Sequence, residues 1–121
     1  MYRFAIDPSV NLLAIHWTGH VDPEEAKRCG EEVRQHLSDI QPGLRILTDL
    51  SGLESMDYEC VPHIDRMMDL FNERGINTVV RVIPNPYKDI GYSIMSLFHY
   101  RHGIRIMTCE SLEEAKKILQ A

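Results

Sequence analysis

Two short runs rich in β-formers open the chain, Tyr2-Arg3-Phe4-Ala5-Ile6 and Leu12-Leu13-Ala14-Ile15-His16-Trp17. Between them Asp7-Pro8-Ser9-Val10-Asn11 is a cluster of turn formers, so the pattern predicts an N-terminal hairpin. The period then becomes helical. Ala26, Cys29, Val33, Leu37 and Ile40 fall on one apolar stripe, with Lys27, Arg28, Glu31, Glu32, Arg34 and Gln35 on the other side. Asp22-Pro23-Glu24-Glu25 supplies an N-cap, a proline suited to the first helical position, and acids at the positive dipole end. Gln41-Pro42-Gly43 stops that helix.

Three later segments look alike: Arg45-Ile46-Leu47-Thr48, Arg81-Val82-Ile83-Pro84 and Arg105-Ile106-Met107-Thr108. Continuous apolar runs of this kind suit strands covered on both faces, as in parallel sheets flanked by helices. Helical patterns separate them. Val61, Ile64, Met67, Met68 and Phe71 mark one helix, ended by Gly75. Ile90, Ile94, Leu97 and Phe98 mark another, opened by Asp89 and ended by Gly103. Ser111-Leu112-Glu113-Glu114 reads as a capping box for a last helix with Leu112, Ala115, Ile118 and Leu119 inward. The expected order is β-β-α-β-α-β-α-β-α, an α/β fold with a mixed sheet, helices packed on it and its later strands parallel.

Composition narrows the function classes. At 121 residues the chain suits one domain, residues 1–121, able to bury a core without disulfides or metals. A hydrophobic fraction of 44% with 26% charged residues argues against disorder. The formal net charge of −5 argues against nucleic acid or anionic lipid as main partner. No apolar stretch approaches the roughly 18 residues of a membrane span. Cys29, Cys60 and Cys109 fit neither a metal spacing nor a disulfide framework, which makes a reducing cytoplasm the default expectation.

The segment Thr48-Asp49-Leu50-Ser51-Gly52-Leu53-Glu54-Ser55-Met56-Asp57-Tyr58-Glu59-Cys60 reads as a loop at the carboxyl end of a strand, where ligands and partners meet open α/β sheets. Its Asp-Leu-Ser-Gly, apolar residue and Met-Asp before a helix resemble the signature of STAS domains, the anti-sigma-factor-antagonist family. Gly19-His20-Val21-Asp22 is similar to that family's Gly-x-Leu/Val-Asp, and Ser111-Leu112-Glu113-Glu114-Ala115 to the start of its last helix. The resemblance implies a single STAS-like domain and a regulatory, non-enzymatic module with a protein partner such as an anti-sigma factor or serine kinase. In that family a serine directly after Met-Asp is phosphorylated. Here Tyr58 stands in its place, followed by Glu59, whose carboxylate would repel an arriving phosphate. The usual serine switch is therefore not expected, and Ser51 and Ser55 do not occupy the matching position.

The docking face so implied comprises Asp22, Asp49, Ser51, Asp57, Tyr58 and Glu59. Charge would speed encounter and an aromatic contact would hold the complex. Asp57 is also an N-cap candidate for the helix that follows, and Pro62 limits where that helix starts. The alternative is a small-ligand or lipid-binding sensor on the same fold, with a pocket between Tyr58, Tyr87, Tyr92 and the strand ends. Cys60 with His63 three residues on could form an activated thiol, though a buried free cysteine is the simpler reading. His99 and His102 at i, i+3 lack an evident third metal ligand. Asn85-Pro86-Tyr87-Lys88 reads as a turn. Catalytic residues, metals and cofactors are not expected, and the sequence leaves a homodimer open.

Overall fold

A computed structural model describes residues 1–83, 100 and 103–120. Strand β1 (Tyr2–Asp7) alternates half-buried and exposed positions, as an edge strand with one covered face should. Asp7 accepts a hydrogen bond from the Ser9 N–H at 3.1 Å, and Asn11 takes a left-handed conformation with φ 52°. The chain therefore reverses into β2 (Leu12–Val21), antiparallel to β1. Asp22 then caps α1 (Pro23–His36), accepting from the Glu25 N–H at 2.9 Å. The predicted stripe is buried throughout, but its last members, Leu37 and Ile40, lie beyond α1. They sit in and just after a single 3-10 turn, Leu37–Asp39, before the Pro-Gly break.

Strand β3 (Arg45–Met56) follows, then a 3-10 turn (Tyr58–Cys60), α2 (Val61–Glu73), β4 (Thr78–Val82), β5 (Arg105–Cys109) and α3 (Leu112–Gln120). The strands lie in the order β1-β2-β3-β4-β5, and every pairing after the hairpin is parallel. The expected helix over residues 90–98, with Asn85–Lys88, Tyr87, Tyr92, His99 and His102, lies outside the described residues. Gly75 ends α2 at φ 78°, a conformation costly for other residues. Ser111 Oγ accepts from the Glu114 N–H at 3.2 Å. The Glu114 carboxylate reaches back to the N–H of Glu110, one residue before the position a capping box uses.

The sheet separates two apolar layers. Leu13, Ile15, Trp17, Ile46, Leu50 and Val79 pack with α1 and α2 on one face. Ala14, Leu47, Val80, Val82 and Cys109 pack with Ala115 of α3 on the other. Each fully buried aliphatic side chain contributes about 1.5–3 kcal/mol of transfer free energy. Two strand readings need correction. Arg81 does not open β4 but lies inside it, buried, with its guanidinium donating to Thr108 Oγ1 at 2.8 Å. More consequentially, the segment from Asp49 to Met56 is not a loop. It is the last two thirds of β3, held by pairing with the ten-residue β2 through two register shifts, between His16 and Thr18 and between Gly19 and His20.

Candidate functional site

The extra length of β2 and β3 determines where the candidate residues go. The strands end in register, with Val21 opposite Met56, so Asp22 and Asp57 leave the sheet at one corner. The Asp57 N–H donates to the Val21 carbonyl at 3.1 Å, and the Asp57 carbonyl accepts from the Cys60 N–H at 3.0 Å. The turn Tyr58–Cys60 is thereby pinned against β2. Tyr58 is 84% exposed, Glu59 is exposed beside it, and Cys60 points inward and is fully buried.

Asp57 makes no capping bond, contrary to expectation. Its carboxylate instead faces His20 Nε2 at 3.1 Å, while His20 Nδ1 lies 2.6 Å from Ser55 Oγ. The Ser55 contact is a hydrogen bond, and the Asp57 contact is the close approach of a ring nitrogen to a carboxylate. The His20 imidazole thus lies between the Ser55 hydroxyl and the Asp57 carboxylate at the ends of β2 and β3. His20 and Ser55 were not among the residues picked from the sequence, although Gly19-His20-Val21-Asp22 drew notice for its flanking Gly and Asp.

Asp49 and Ser51 form a separate cluster. Asp49 lies two residues after Leu47 and so shares its face of β3, towards the α3-side layer, and is only 6% exposed. It is therefore not the surface contact the sequence suggested. Its carboxylate faces His16 Nδ1 at 2.6 Å and accepts from the Ser51 N–H at 3.0 Å and the Ser51 hydroxyl at 2.6 Å. Burial acts to raise its pKa, but the bonds from Ser51 and His16 outweigh it and hold the carboxyl below the usual Asp value. Ser51 remains exposed, and Asp49 braces it from behind.

The thiol reading of Cys60 does not survive the geometry. Burial, then the Asp57 and Asp22 carboxylates, push its pKa up to about 11, the opposite of activation. Cys60 Sγ lies 3.6 Å from the Val21 carbonyl as a weak donor, and His63 instead lines a groove between α1 and α2. Among the described residues, no group of three or more His, Cys, Asp or Glu could hold a metal ion, and no helix is long and apolar enough to cross a membrane.

No family model and no curated protein matches the sequence significantly. Solved structures do. An uncharacterised protein with a SpoIIAA-like fold from Shewanella loihica PV-4 superposes with a TM-score of 0.74 at 13% identity, over 98% of this chain and 93% of that one. The unphosphorylated anti-sigma factor antagonist SpoIIAA gives 0.65 at 16% identity, over 100% and 99%. The fold is SpoIIAA-like. A putative anti-sigma factor antagonist from Thermotoga maritima adds a TM-score of 0.61 at 18% identity, over 100% and 96%. The STAS-like expectation is thus borne out over nearly the whole chain as a likeness of fold. Within this SpoIIAA-like fold the β3–α2 corner, with Asp22, Asp57, Tyr58 and Glu59, is the candidate site.

Proposed function

We propose that this chain is a non-enzymatic regulatory protein-interaction module of the anti-sigma-factor-antagonist type. It docks a protein partner, an anti-sigma factor or a serine kinase, through the corner where β2 and β3 end. Tyr58 is the central contact, Asp22, Asp57 and Glu59 supply the surrounding negative charge, and Ser51 lies on the flank. The serine switch is absent because Tyr58 fills the position that the family's text gives to serine. The observation that carries this reading is an 84% exposed tyrosine held at a pinned turn beside carboxylates. An aromatic side chain with few rotatable bonds loses little entropy when a partner covers it, and the acidic surround steers a partner of opposite charge.

The test is affinity capture from native lysate with the wild-type chain, Tyr58→Ala and Asp57→Lys. A captured anti-sigma factor or serine kinase whose affinity falls about 30-fold with Tyr58→Ala, the mark of a central contact, supports the reading. Asp57→Lys should slow association most at low salt. Failure to capture any protein, or a capture profile unchanged by both Tyr58→Ala and Asp57→Lys, would refute it.

A further inference from the structure

Between α1 and α2 lies a groove of about 180 Å³. Its floor is apolar, formed by the buried Ala26 and Met67 and the half-buried Leu70. Gly30, midway along α1, leaves the floor open: a Cβ there would already be in van der Waals contact with Met67 Cγ at 3.5 Å. The rim is cationic. Lys27 and Arg34 stand two turns apart on α1, and Arg66 adds a third cation from α2, one turn after the His63 imidazole. None of these side chains has an ion pair with another described residue, and Glu31 is the one acid lining the groove. In a chain of net charge −5 the groove thus reverses the sign locally, with Lys27, Arg34 and Arg66 against the single carboxylate of Glu31.

The dimensions identify the occupant. Small-molecule sites usually enclose about 300–1,000 Å³, more than this groove offers. An open furrow between two helices, with an apolar floor and a charged rim, matches the mode in which an amphipathic helix lays its apolar face into a groove. We propose that the α1–α2 groove docks an acidic amphipathic helix of a partner protein. One apolar side chain sits on Ala26, Met67 and Leu70. Carboxylates spaced i, i+7, about 10 Å apart along that helix, meet Lys27 and Arg34, and a further one meets Arg66. The inference goes beyond the corner described above and stands without it.

The probe is a peptide selected from a displayed library of helix-forming sequences about 14 residues long, the length of α1, screened against the full chain. The expected consensus is a Leu or Met flanked by Asp and Glu. By fluorescence anisotropy the selected peptide should lose about tenfold in affinity on the exposed double change Arg34→Glu/Arg66→Glu, and further as salt rises from about 50 to about 300 mM. Gly30→Leu, its fold checked by circular dichroism, should block the groove, while Tyr58→Ala should leave peptide binding unchanged. Basic or uncharged consensus peptides, or equal binding by the charge-reversed chain, would overturn the proposal. So would displacement of the peptide by phosphatidylglycerol vesicles or by millimolar inorganic phosphate, which would make the groove a lipid or small-anion site instead.

Discussion

Asp49→Ala tests whether the buried cluster at the middle of β3 is a charged hydrogen-bond centre. The carboxylate accepts from the Ser51 N–H, the Ser51 hydroxyl and His16 Nδ1. A hydrogen bond to a charged group is worth about 1.5–3 kcal/mol net, and an orphaned buried donor costs about 1–3 kcal/mol. Ser51 is exposed, so water replaces most of what its two donors lose. The His16 side chain is only 14% exposed and is not rescued so easily. The expected cost at neutral pH is therefore about 2–3 kcal/mol. At the usual unfolding entropy per residue this lowers Tm by about 8–12 °C.

The pH dependence makes the reasoning sharper. The folded-state pKa of Asp49 lies below its unfolded value. Its stabilisation is then fully present above the unfolded value, near pH 4, and is lost as pH falls through the folded value. Urea unfolding followed by the fluorescence of the buried Trp17 should show a constant gap between wild type and Asp49→Ala from pH 7 to about 5. That gap should narrow below about pH 4. Asp49→Asn keeps an acceptor for Ser51 but turns an amide donor towards His16, and should cost about 1 kcal/mol at neutral pH, its gap to wild type narrowing over the same range because the titrating group is the wild-type carboxylate. A cost below about 0.5 kcal/mol for Asp49→Ala, or the same gap at pH 3 as at pH 7, would refute a charged centre.

Two further outcomes follow from contacts elsewhere in the overlong strand pair. Gly52→Ala places a Cβ 2.8 Å from Thr18 Cγ2 and should destabilise by about 1–3 kcal/mol in thermal melts. Adding Thr18→Ser, which removes that methyl, should recover most of the loss; no recovery would locate the cost in the backbone rather than the contact. Cys60, with a pKa of about 11, should alkylate with iodoacetamide at pH 8 at least about a hundredfold more slowly than glutathione. A rate near that of the free thiol would show that the carboxylates and burial do not act on it as described.

Elements governed by local signals were legible in the sequence. The α1 stripe from Ala26 to Val33, the Asp22 cap with Pro23, the hairpin turn and the Gly75 stop each depend on residues within a few positions of one another, and each lies where the local pattern puts it. What could not be read was set by partners far along the chain. Asp49, Ser51, Gly52, Glu54 and Ser55 look like a loop because strands with such polar content are unusual. They stay extended because β2 runs beside them for its full length. Arg81 looks like the polar start of a strand because no local pattern shows that Thr108, 27 residues on, will take its guanidinium. The bond between His20 and Ser55 spans 35 residues and depends on a register that two shifts have altered.

The acidity of the corner has its origin in the same register. Two parallel strands that end side by side must start their following helical segments side by side, and helix starts favour acidic residues for capping and for the dipole. Asp22 with Glu24 and Glu25 meets that demand at α1. Folding alone would use Asp57 in the same way at the second start. Instead its carboxylate is turned to His20, and the turn after it runs without a side-chain cap. An Asn or Ser bonded to an orphan N–H would serve the fold at least as well. The turning of this carboxylate to the exposed His20, next to an 84% exposed tyrosine, is the feature of the corner that stability does not require. It is the reason the proposed docking face centres on this corner rather than on the better-built cluster around Asp49.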